Sequence, residues 1–210
     1  PESKKLVANS SDPLETAVRL AIAGNIIDFG VKSTLEDHHV EETLEKALTA
    51  EMDRAAFEDF KTEIDKAERI LYLGDNAGEI VFDKLLIEQL PREKVTFVVR
   101  GRPIINDVTM EDAQYVGLTD LVEVIDNGDD SPGTIFASCS DRFKDYFSRA
   151  DLIISKGQGN YETLSEYKKN IFFILKAKCP VISRHLECEP GSMILCRSTG
   201  QQDIVFEVEV

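Results

Sequence analysis

The chain has 210 residues, a formal net charge of −15, 42% hydrophobic residues and 30% charged ones. That length carries one sizeable core, and the composition fits a soluble globular protein. The acidity argues against a nucleic-acid binder, whose affinity comes from clustered Lys and Arg. No apolar run approaches the roughly 20 residues of a membrane helix.

In chain order, residues 1–12 are polar, and the chain opens PESKK without an initiator Met or an apolar leader. That beginning suggests residues missing upstream. Pro13 after Asp12 marks a helix start. Leu14–Phe29 then places Leu14, Ala17, Val18, Ala21 and Ile22 at helical spacing. Asn25 and Asp28 share a face of that helix, but on their own they read as ordinary polar neighbours of Gly24. The acidic stretch that follows contains His38 and His39. Adjacent residues diverge around a helix, so this pair reads as a solvated helix start rather than a metal site. Thr43–Asp65 reads as a helix or helix pair, with Leu44, Leu48, Phe57 and Phe60 facing a core. The four cysteines form no Cys-x-x-Cys pair and read as reduced, partly buried thiols of a cytoplasmic protein.

From Ile70 the pattern alternates. Apolar strands are expected at Ile70–Leu73, Lys94–Arg100, Leu121–Ile125, Leu152–Ser155 and Ile171–Leu175. Further candidates lie at Val181–Ile182, Met193–Cys196 and Ile204–Val208. Helices are expected from Ala77 to Leu90, from Met110 behind a Thr109 cap, and over Arg142–Arg149. Alternation of this kind predicts right-handed β-α-β units and a mainly parallel sheet, a Rossmann-like three-layer α/β/α domain. The near-continuous hydrophobicity of the strands suits a sheet covered on both faces. The expected division is a helical N-terminal part over 1–68 and an α/β/α domain over 69–210.

The chemistry-bearing residues fall where strands end: GDNAGE after the first, RGRPIIND after the second and KGQGNYE after the fourth. Parallel strands bring such ends to one edge of the sheet, where ligands of open α/β folds bind. Asp75, Asn76 and Asp107 offer hard oxygen donors suited to Mg²⁺ or Mn²⁺. Lys156 and Arg100 offer positive charge to an anionic substrate. Gly157 and Gly159 allow backbone N–H groups to approach a phosphate. Asn106 and Asn160 flank these groups. Glu79 stands in the second shell or reaches a substrate hydroxyl. No Walker loop, dinucleotide fingerprint or Gly-x-Ser-x-Gly elbow is present. A hard cation beside Lys and Arg implies phosphate-ester chemistry. Either a metal-activated water attacks, which is the preferred route, or Asp75 or Asp107 attacks phosphorus directly.

The segments AIAGNIIDFG, LYLGDNAGEIVFDKLL, VRGRPIINDVTMEDA, LIISKGQGNYETL and FFILKAKCPVIS resemble the metal-dependent damage-control phosphatases, closest to their microbial branch. The resemblance runs from about Leu14 to Ser183. It implies an α/β/α fold with a helical N-terminal part, and phosphatase activity on small phosphometabolites such as sugar phosphates. It also implies a divalent ion (Mn, Co, Ni or Mg) on Asp75, Asn76 and Asp107. By the same resemblance Lys156 reaches the substrate phosphate, and Asn25 and Asp28 face the cleft. The chain departs from that branch in lacking an upstream Cys-x-x-Cys segment, which a partner fragment could supply. The competing readings are an S-adenosylmethionine-dependent carboxyl methyltransferase and a metabolite-binding regulator without turnover.

Overall fold

The computed structural model describes residues 2–27, 44–198 and 200. It opens with α1 (Glu2–Ala8) and α2 (Pro13–Ile27). Pro13 stands first in α2, and Asp12 caps it by accepting from Glu15 N at 3.0 Å. The backbone is helical over 44–49 and then breaks before α3 (Arg54–Lys66). Asp53 causes the break: its carboxylate accepts from Ala55 N and Ala56 N and starts a new helix. Of the two readings of this stretch, a helix pair is the one observed.

The remaining elements are β1 (Ile70–Leu73), α4 (Ile80–Ile87), β2 (Val95–Val99), α5 (Met110–Tyr115), β3 (Glu123–Asp126), α6 (Asp141–Arg149), β4 (Leu152–Lys156), α7 (Gln158–Leu164), β5 (Ile171–Lys176), α8 (Pro180–His185) and β6 (Met193–Arg197). They build the expected α/β architecture, a six-stranded sheet in the order β3-β2-β1-β4-β5-β6. β1 to β5 pair in parallel, and β6 lies antiparallel on β5. The strand order reverses between β1 and β4, the place where such sheets leave a crevice at their carboxyl ends.

Alternation along the strands sorts side chains to the two faces. Ile70, Tyr72, Leu152 and Ile154 pack with α2, α3 and α4, in one cluster with Val18, Leu20, Phe57, Phe60 and Leu86. Leu71, Leu73 and Ile153 pack the other way, with Phe143 and Phe147 of α6, Tyr161 and Leu164 of α7, and Ile182 of α8. Each of these phenylalanines is fully buried, a gain of roughly 1.5–3 kcal/mol apiece. Helix α2 reaches α4 through Gly24. A Cβ there would lie 2.8 Å from Phe82 Cδ2 and 3.0 Å from Glu79 Cβ, so only glycine permits this approach.

Three expectations are corrected. Val181–Ile182 is not a strand but the first turn of α8, where Pro180 at the first helical position sets the backbone. The third strand lies two residues late, at Glu123–Asp126, because Leu121 and Val122 belong to the turn after α5 and pack into the core there. Helix α4 begins at Ile80, after a turn over 77–79. Ile204–Val208, His38 and His39 lie outside the described residues.

Candidate functional site

The carboxyl ends of β1, β2 and β4 bring the three polar segments together. After β1 the chain turns at Gly74, whose Cβ would collide with Phe97 and Val108 at 2.7 Å. The segment after β2 folds back onto this turn. Asn76 and Asp107 form an antiparallel bridge, Val108 N donates to Asp75 O at 2.8 Å, and Ala77 N donates to Asn106 O at 2.8 Å. Asp75, Asn76 and Asp107 are thereby locked side by side through backbone bonds. Gly157 closes the third side. It takes φ +78°, and a Cβ there would lie 1.9 Å from Asp75 Oδ2. The glycine exists to admit the Asp75 carboxylate.

The side chains extend this arrangement. Asn76 Nδ2 donates to Asp75 Oδ2 and to Glu79 Oε1, both at 2.9 Å. Asn76 N donates to the same Glu79 oxygen at 3.2 Å. The amide nitrogen is thus occupied, and Asn76 Oδ1 accepts no hydrogen bond among the described residues. Behind Glu79, Lys156 Nζ donates to Glu79 Oε2 and to Asp83 Oδ1, each at 2.6 Å, with none of these side chains more than 1% exposed. Tyr72 donates its hydroxyl to Asp83 Oδ1 at 2.8 Å. On the other flank, Arg100 donates Nε to Asp107 Oδ2 at 2.6 Å, Nη1 to Thr134 Oγ1 and Nη2 to Asn160 Oδ1, both at 3.3 Å. Asn160 donates to Gly74 O and Lys156 O, and accepts from Thr134.

Electrostatics follow from burial. Desolvation, with the Glu79 and Asp107 carboxylates close by, pushes the Asp75 carboxyl up to about 8. Burial also raises Asp83, to about 6, against the opposing pull of Lys156. Burial alone would lower Lys156, but Asp83 and Glu79 reverse that and hold it firmly charged. Arg100 pairs with Asp107, and Lys156 with Glu79 and Asp83, beside the Asp75 carboxylate. The side-chain donors of Asp75, Asn76 and Asp107 are oxygens, the kind a hard divalent cation takes. No group of three His, Cys, Asp or Glu that could hold a metal occurs among the described residues. Asp75, Asn76 and Asp107, side by side through their backbone bonds, offer two carboxylates and one amide.

The structure brings together Asp75, Asn76, Glu79, Arg100, Asn106, Asp107, Lys156, Gly157 and Asn160, but several take roles other than those expected. Lys156 does not reach out to a phosphate: it is fully buried on Glu79 and Asp83. Glu79 is equally buried and is closed to a substrate hydroxyl. Arg100 is 5% exposed and spends its guanidinium on Asp107, Thr134 and Asn160. Asn160 is a buried staple between strand ends, not a substrate contact. Gly157 N donates to Ile174 O within the sheet, so it is not available to an anion. Asn106 is exposed at the rim. Asn25 lies in the last turn of α2, next to Gly24, but its side chain, like all of Asp28, lies outside the described residues. Sequence reasoning missed Tyr72, Asp83 and Thr134. Asp83 carried a signal: one acid four residues after Glu79, inside the apolar run IVFDKLLI.

One rim residue is strained. Ile105 takes φ +48° and is 83% exposed. A β-branched residue in that region costs on the order of 1–3 kcal/mol.

Residues 1–194 match the damage-control phosphatase ARMT1-like domain. The chain belongs to that family. It is 44% identical over 191 residues to a damage-control phosphatase of Pyrococcus horikoshii, covering 88% of this chain and 65% of the relative. It is 39% identical over 206 residues to one of Archaeoglobus fulgidus, covering 92% and 68%. An uncharacterized Methanocaldococcus jannaschii protein is 40% identical over 202 residues, covering 91% and 66%. The crystal structure of a DUF89 family protein from P. horikoshii superposes with a TM-score of 0.83 at 39% identity, covering 94% of this chain and 70% of that one. The chain thus spans about two thirds of the length of the curated relatives it matches. No helix among the described residues is long and apolar enough to cross a membrane.

Proposed function

We propose that this damage-control phosphatase family chain hydrolyses phosphate monoesters of small metabolites, sugar phosphates among them, with a divalent cation on Asp75, Asn76 and Asp107. The observation that carries this reading is the backbone-locked grouping of Asp75, Asn76 and Asp107 at the carboxyl ends of the strands, where the strand order reverses. Hard oxygen donors gathered at that point, with the Asp75 carboxyl raised by burial, mark a site suited to a cation. Oxygen donors suit Mn²⁺, Mg²⁺, Co²⁺ or Ni²⁺. When bound, such an ion supplies Lewis-acid polarisation of a phosphoryl oxygen and eases ionisation of a water.

The chain's own residues do the positioning. Arg100 fixes one oxygen of Asp107 and leaves the other for a ligand. Asp75 and Glu79 together hold the Asn76 amide nitrogen, which turns its carbonyl oxygen away from them. Lys156 holds Glu79 in place at 2.6 Å. Asp75 is pressed against Gly157 and tied to Asn76, a restraint that suits a ligand better than a nucleophile. Water is therefore the proposed nucleophile. Asn106, exposed beside Asp107, is the proposed substrate contact at the rim, and Asn25 and Asp28 are proposed to complete the cleft.

The test is phosphate release from p-nitrophenyl phosphate and a panel of sugar phosphates with each of the four ions. Turnover is expected with at least one ion, and Asp75→Ala should abolish it while leaving the fold intact. Turnover that survives chelation, or that Asp75→Ala leaves untouched, contradicts the assignment.

A further inference from the structure

The loop between β2 and α5 is fixed by backbone bonds on both sides of its tip. Asp107 N donates to Ile104 O at 2.9 Å, Asn106 O accepts from Ala77 N, and Val108 N donates to Asp75 O. Arg100 N donates to Val108 O at 2.9 Å, which closes the base of the loop. At the tip stands Ile105, one residue from Asn106 and two from Asp107. Its backbone is left-handed at φ +48°, a conformation that glycine or asparagine takes readily and a β-branched residue does not. Ile105 is 83% exposed, so burial against the described residues returns little for the strain. A strained backbone that local packing does not repay is a mark of function. A single exposed apolar side chain is ordinary by itself; one placed in a disfavoured conformation, on a loop clamped to the candidate ligands, is not.

We infer that Ile105 is a specificity-determining residue: its side chain packs on the carbon skeleton of the phosphorylated substrate while the phosphate faces the cation proposed on Asp75, Asn76 and Asp107. This inference rests on the phosphatase reading above and adds to it the group that senses the rest of the substrate. The clamped loop makes Ile105 a fixed wall rather than a mobile flap, so the contact discriminates by size and apolarity. Losing an apolar contact of this kind changes discrimination by roughly 10- to 200-fold.

The experiment compares wild type with Ile105→Gly and Ile105→Asn, using p-nitrophenyl phosphate as a large apolar substrate and acetyl phosphate as a small one, both with Mn²⁺. Both variants relieve the backbone, so the thermal midpoint is expected to hold or rise. kcat/KM for p-nitrophenyl phosphate is expected to fall roughly tenfold or more, mainly through KM, while acetyl phosphate turnover stays near wild type. Equal losses on both substrates with a lowered midpoint would show that Ile105 is structural and overturn the inference. Unchanged kinetics on both substrates would overturn it as well, while leaving the phosphatase reading in place. A wild-type chain that releases phosphate from neither substrate overturns that reading, and this inference with it.

Discussion

The two edges of the sheet handle charge in opposite ways. Where the parallel strands begin, a concavity of about 850 Å³ is lined by Arg69, Lys94, Glu123 and Arg149, among others. Its ion pairs are loose and wet: Lys94 meets Glu68 at 3.3 Å with Glu68 79% exposed, and Arg69 meets Asp151 at 3.6 Å. Where the strands end, Lys156 meets two carboxylates at 2.6 Å with no water access, and Arg100 meets Asp107 at the same distance. That hollow lies at the edge whose ion pairs are exposed. The opposite edge holds the desolvated pairs. Buried charge is the better guide to a site, because burial makes charge costly and shifts ionisation.

The contrast can be broken by removing one cation from each edge. Lys156→Met leaves Glu79 and Asp83 buried without their partner. Chemical denaturation should show a loss of about 3–5 kcal/mol. A loss below about 1 kcal/mol would mean that water reaches those carboxylates and that this edge is no different from the other. Gly157→Ala is next in size. It forces a Cβ into the Asp75 carboxylate and places an alanine at φ +78°. The backbone term alone is about 1–2 kcal/mol, and the displaced Asp75 should weaken Mn²⁺ binding in a calorimetric titration. Wild-type affinity in that variant would remove Asp75 from the proposed ligand set. Smallest is Arg69→Ala at the opposite edge, expected to change stability by less than about 1 kcal/mol. A larger effect there would show that its exposed pairs carry structural weight.

Much of this division was legible in the residues. The apolar runs Ile70–Leu73, Val95–Val99, Leu152–Ile154 and Ile171–Leu175 announce buried parallel strands, and the polar segments after three of them announce the site. Val181–Ile182 misled, because two β-branched residues read as strand and α8 is only six residues long, too short to show a helical period. The site's composition was readable, but the direction of its side chains was not. Lys156 looked like the first residue beyond a strand and is in fact the last residue within it. Counting by twos from Leu152 and Ile154 puts it on the face of Tyr72, under α4, where Glu79 and Asp83 wait. A lysine past the strand could have swung to a substrate; one inside it cannot. Arg100 and Asn160 were misjudged for a related reason. Their partners Thr134 and Asn160, or Gly74 and Arg100, are far apart in the chain, and no spacing rule joins them.

The central claim, that Asp75, Asn76 and Asp107 at the carboxyl edge of the sheet take one divalent cation, is tested most directly by titrating Mn²⁺ into the wild-type chain and into Asp75→Ala with a calorimeter. The account predicts one ion per chain for wild type, with a rise in thermal midpoint as the site fills, and neither binding nor a rise for Asp75→Ala. Equal binding by both proteins, or none by a folded wild-type chain, would contradict it.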